Sequence, residues 1–70
     1  MLMVSVQSSQ LQSIGYDSET RQAHVLFKNG ALYEYDAVEE DVVNGIISAS
    51  SPGQAFLNSL KFGYEYRRIG

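Results

Sequence analysis

Phe27-Lys28-Asn29-Gly30-Ala31-Leu32-Tyr33-Glu34-Tyr35 decides the fold, because an Asn-Gly pair here separates two short runs of strand-forming residues. Asn and Gly tolerate the positive φ angles of tight turns, and Val25, Phe27, Tyr33 and Tyr35 suit a pleated, half-buried surface, so the stretch reads as a β-hairpin. Two registers are open. A two-residue turn over Asn29-Gly30 pairs Lys28 with Ala31 and leaves Tyr33 and Tyr35 on the face opposite Val25 and Phe27. A three-residue turn with a bulge at Gly30 sets Phe27 against Ala31 and gathers Val25, Phe27, Tyr33 and Tyr35 on one face. The second register collects the strongest apolar set; the first leaves the tyrosines outside.

Outward from the hairpin, Leu11 to Tyr16 reads as a preceding strand, Asp17 to Thr20 as a turn, and Arg21 to Lys28 and Ala31 to Asp36 as the hairpin arms. The period then changes from two to helical. Asp36 and Glu39 match a D-x-x-E capping box, and Val38, Val42, Val43, Ile46 and Ile47 form an apolar stripe suited to covering a sheet. Ser51-Pro52-Gly53-Gln54 signals a second helix, with Ser as cap and Pro at the first helical position. That helix should bury Ala55, Phe56, Leu57 and Leu60 and stop at Gly63. Tyr64 to Ile69 alternates as a closing edge strand, with Tyr64, Tyr66 and Arg68 on one side and Glu65, Arg67 and Ile69 on the other. The expected fold is α+β: a three-stranded antiparallel meander, two short helices, and that edge strand. Residues 11–70 form one domain, and residues 1–10 read as either a flexible segment or an extra edge strand.

Composition narrows the function. Seventy residues bury only about 60% of the surface their unfolded chain exposes, so help from a second copy or a partner is expected. The absence of Cys removes thiol catalysis and thiolate metal sites and fits a reducing compartment. Met1-Leu2-Met3-Val4 lacks a basic flank and runs into polar residues, so it reads as neither signal peptide nor membrane span, and a cytoplasmic location is expected. A net charge of −3 argues against broad attraction to phosphate backbones. The acids gather between Asp17 and Asp41, whereas Lys61, Arg67 and Arg68 place three of the five basic residues in the last ten positions.

Catalysis is not expected. His24 stands alone within a strand, and Glu39-Glu40-Asp41 is better explained by the helix dipole than by a cation, since successive helix positions diverge. Neither a cofactor nor a metal site is expected.

The ordered set Ser13-Ile14-Gly15-Tyr16-Asp17, Val25-x-Phe27-x-Asn29-Gly30-x-x-Tyr33-x-Tyr35, Ala49-x-Ser51-x-Gly53, Asn58, Lys61 and Tyr64-x-Tyr66-Arg67-Arg68-Ile69 resembles the KTSC domain. That family takes its name from the C-terminus of some lysyl-tRNA synthetases and also occurs as small stand-alone bacterial and phage proteins. The chain departs from the family pattern at Val38-Glu39, where a Pro usually follows the Val, and at Phe56-Leu57-Asn58, where two aromatics usually precede the Asn. The association with the synthetase implies RNA binding.

Two functions follow. The first is a small non-catalytic interaction module that binds a protein partner or a second copy of itself. The alternative is nucleotide or RNA binding by the C-terminal segment, with Tyr64 or Tyr66 stacking a base and Lys61, Arg67 and Arg68 holding phosphate. Tyr33, Tyr35, Lys61, Tyr64, Tyr66, Arg67 and Arg68 are the candidate site residues.

Overall fold

The computed structural model describes residues 2–70. Its sheet is an antiparallel meander of five strands, β1 (Met3–Ser5), β2 (Leu11–Asp17), β3 (Gln22–Phe27), β4 (Leu32–Tyr35) and β5 (Tyr66–Arg68), in the spatial order of the sequence. Two helices, α1 (Glu40–Ser48) and α2 (Pro52–Asn58), lie between β4 and β5. The fold is the α+β arrangement of meander, helices and closing strand, with β1 added at the opposite edge.

The hairpin adopts the three-residue turn. Phe27 N–H donates to Ala31 O at 2.9 Å, Gly30 N–H donates to Phe27 O at 3.0 Å, and Gly30 sits at φ +94°, a conformation that glycine adopts without a Cβ penalty. Val25 therefore opposes Tyr33 and Ala23 opposes Tyr35, which turns all four toward the helices. His24, Leu26, Leu32 and Glu34 take the other face.

A second irregularity lies in β2. Leu11 pairs with Phe27 but Ser13 pairs with Leu26, so Gln12 is the extra residue of a bulge. The bulge lets Leu11 and Ile14, three apart, both enter the core, which strict alternation forbids. With Val25, Tyr35, Val38, Val43, Ile46, Phe56 and Leu60 they form one apolar cluster. Tyr16 Oη donates to Val38 O at 2.6 Å, and Val38 N–H donates to Arg21 O at 2.9 Å. These bonds hold the β4–α1 connection over the sheet and bury Val38.

Three local expectations need correction. α1 begins after Glu39, whose side chain makes no capping bond. Asp36 does not cap it: its carboxylate accepts from Gln22 Nε2 at 3.0 Å and from Arg67, because the sheet offers it better donors than the helix end does. Ser51 does occupy the cap position of α2 with Pro52 behind it, but its side chain caps nothing. α2 also stops at Asn58, not Gly63, and Leu60 is buried from the loop that follows. Gly63 at φ +88° bends that loop instead of ending the helix.

Two stability predictions follow from these contacts. Ser51→Ala should change unfolding free energy by less than about 0.5 kcal/mol, against about 1 kcal/mol for a working cap; urea titration decides. Gly53→Ala should destabilise by roughly 1–3 kcal/mol, because a Cβ there would stand 2.9 Å from Ser8 Oγ, which two backbone N–H groups, Gln10 and Leu11, hold in place at 3.1 Å. The penalty should shrink in a Ser8→Ala background, and an additive double-mutant cycle would refute the clash.

Candidate functional site

The register that turns Tyr33 and Tyr35 toward the helices also sets what meets them from β5. Tyr66 pairs with Tyr35 and Arg68 with Tyr33, so Tyr66 and Arg68 share the helix-side face. Tyr66 stacks on Tyr35 with centroids 5.6 Å apart and planes at 29°, and lies 5.9 Å from Tyr33. Phe27 meets Tyr33 edge-on at 5.6 Å and Phe56 at 5.5 Å, while Tyr35 meets Phe56 at 6.0 Å. Offset and edge-on contacts of this kind suit the ring quadrupole and stiffen the wall.

These rings line a cleft of about 620 Å³ between the sheet, α2 and the loop after it. Tyr64, Lys61 and Phe62 enter from that loop, Arg68 from β5, and Gln10 and Asn29 also line it. Six of the seven candidate residues, Tyr33, Tyr35, Lys61, Tyr64, Tyr66 and Arg68, thus meet in one place. Tyr66 remains 57% exposed and Phe62 73% exposed, which leaves aromatic surface open to a ligand. None of the eight acids lines the cleft. Burial, with the neighbouring Tyr66 and Tyr33 phenols, pushes the Tyr35 hydroxyl up to about 12, so Tyr35 stays protonated near neutral pH. Arg68 Nε donates to Gly70 O at 2.8 Å, and Lys61 Nζ lies 5.9 Å from the Phe62 ring centroid; neither meets an Asp or Glu among the described residues.

Arg67, the seventh candidate, points the other way. It opposes Glu34 on the uncovered face and forms ion pairs with the Glu34 and Asp36 carboxylates. His24 Nε2 meets the second Glu34 oxygen at 2.9 Å. The His24 hydrogen bond, opposed by partial burial and reinforced by Arg67, holds the Glu34 carboxyl below its ordinary value. The Arg67 and Gln22 hydrogen bonds do the same for Asp36. Arg67 therefore clasps β5 to β4 from behind the cleft that Tyr66 and Arg68 help to build. Phe27 and Phe56, read from the sequence as hairpin and helix core, are also cleft walls; their alternation and helical spacing give no sign of that second role. Among the described residues no His, Cys, Asp and Glu group of three or more could hold a metal ion, and no helix is long and apolar enough to cross a membrane.

The model of the KTSC domain family matches residues 7–66, and the chain belongs to that family. It is 44% identical over 70 residues to an uncharacterized protein of Stutzerimonas stutzeri (strain A1501), covering 99% of each chain. It is also similar to the crystal structure of a KTSC domain protein from Yersinia pestis, with a TM-score of 0.90 and 34% identity over 99% of this chain and 97% of that one.

The clasp carries a signed pH dependence. Because Glu34 and Asp36 are depressed in the fold, their stabilisation is present above the ordinary carboxylate range and is lost as pH falls through the depressed values. Arg67→Met should reduce that acid-side loss, chiefly through Asp36, while raising amide exchange in β5. Urea unfolding at neutral and acid pH checks this; identical pH dependence in both proteins would show that the ion pairs contribute nothing.

Proposed function

We propose that the domain is a non-catalytic binding module that works through the aromatic cleft, and that its ligand joins a flat unsaturated ring to an anionic group, as a nucleotide or an unpaired RNA residue does. One observation carries the reading: on a chain of net charge −3, the cleft combines the exposed Tyr66 ring with Lys61 and Arg68 and no Asp or Glu. Stacking on an aromatic side chain contributes about 1–3 kcal/mol per base, and its volume of about 620 Å³ lies in the range of small-ligand sites, roughly 300–1,000 Å³. Arg67 holds β5 and is not a phosphate contact in this reading.

A protein partner or a second copy is the other reading, favoured by the 81% exposed Leu2 beside the open β1 edge and by Phe62 at the cleft mouth. An unpaired edge strand invites pairing with another chain. The two differ in their response to salt.

The test is a fluorescence titration with a short, mixed-sequence single-stranded RNA. Affinity should fall steeply with ionic strength, Tyr66→Ala should weaken binding by about fivefold to a hundredfold, the equivalent of roughly 1–3 kcal/mol, and Arg68→Gln should flatten the logarithmic salt slope by about 0.7. Binding that ignores both substitutions and salt, or concentration-dependent dimerisation without RNA binding, would overturn the nucleotide reading.

A further inference from the structure

The cleft does not end at the hairpin tip. A second groove of about 510 Å³ adjoins it, lined by Ser9, Gln10, Phe27, Lys28 and Asn29, and shares Gln10, Phe27 and Asn29 with it. The chain's basic residues divide sharply between these grooves and the rest of the surface. Arg21 pairs with Glu39, and Arg67 with Glu34 and Asp36. Lys28, Lys61 and Arg68 meet no Asp or Glu among the described residues, and all three lie on the two grooves, Lys61 and Arg68 in the first and Lys28 in the second. No acid lines either groove. Lys28 is also well placed, because its backbone N–H donates to Gln10 O at 2.9 Å and ties the turn to the start of β2.

We infer that the two grooves form one track for a polymeric anion, and that Lys28 holds a second phosphate of a single-stranded nucleic acid whose unpaired base lies among the cleft tyrosines. The inference rests on the nucleotide reading of the cleft and extends it from a monomer to a strand. A ligand confined to the cleft has no use for Lys28, whereas a strand that passes Phe27 meets it next. Phe27 lines both grooves, and each groove carries its own basic residues, a combination of aromatic surface and positive charge that suits a chain of bases and phosphates better than an acidic peptide. Lys28 is exposed and outside the core, so Lys28→Gln should fold normally.

The experiment measures binding of uridine 5′-monophosphate and of a short oligouridine to the wild-type chain, Lys28→Gln and Arg68→Gln across a salt series. Lys28→Gln should weaken the oligomer severalfold and flatten its salt slope by about 0.7 while leaving the monomer unchanged; Arg68→Gln should weaken both. If Lys28→Gln leaves the oligomer unchanged while Arg68→Gln weakens it, the track is wrong and the cleft stands. If Lys28→Gln weakens monomer and oligomer alike, Lys28 acts within the cleft and the track is again wrong. Loss of neither ligand in either variant, or no oligomer binding at all, removes the nucleotide reading too. Equal competition by a Glu- and Tyr-rich peptide of the same length would replace the nucleic acid with a protein ligand. Should the monomer bind too weakly to titrate, the oligomer's response to Lys28→Gln decides alone.

Discussion

The register of the β3–β4 hairpin is the constraint on which the rest depends. A three-residue turn with Gly30 in the left-handed region opposes Val25 to Tyr33 and Ala23 to Tyr35, and a shift by one residue would send both tyrosines to the face the helices leave open. From that choice follow the ring that Phe56 meets, the partner on which Tyr66 stacks, and the side on which Arg68 emerges. Core and candidate site are two ends of one aromatic surface. Its inner end is closed by Phe56, while its outer end is left open at Tyr66.

β5 joins the two faces of the sheet. Its alternation sends Tyr66 and Arg68 into the cleft and Arg67 behind it, where two carboxylates of the β4 end receive the guanidinium. An isolated three-residue edge strand has little to hold it, and ion pairs on an exposed surface contribute modestly. Here Arg67 meets two carboxylates at once, and backbone bonds from Asp36 N–H to Glu65 O and from Ile69 N–H to Leu32 O bracket the strand. The same arrangement keeps Arg67 out of the cleft, where Lys61 and Arg68 carry the positive charge.

Much of the fold was legible in local pattern. The Asn29-Gly30 pair marks a turn, the stripe from Val42 to Ile47 marks a helix, with Val38 buried just ahead of it, and alternation around Tyr66 to Arg68 marks a strand, because each depends on chemistry repeated within a few residues. What failed to show was anything that required knowing a distant neighbour. Asp36 looks like a helix cap until Gln22 and Arg67 compete for it across the sheet. Ser51 occupies a cap position without acting as one, and the bulge at Gln12 has no glycine or proline to announce it.

The sequence by itself determined the α+β class, the order of its elements from Leu11 onward, and the family, since turn chemistry and hydrophobic period are properties of short stretches. It also singled out the tyrosines and the terminal bases. Only the tertiary structure decided that six of those seven side chains share a cleft and that Arg67 does not. Lys28, in the hairpin turn, and Lys61 and Arg68, more than thirty residues later in the chain, come to line adjoining grooves only when β5 returns to β4. The pairing of strands far apart in the chain brings charges and rings together, and no local period records which of them will meet.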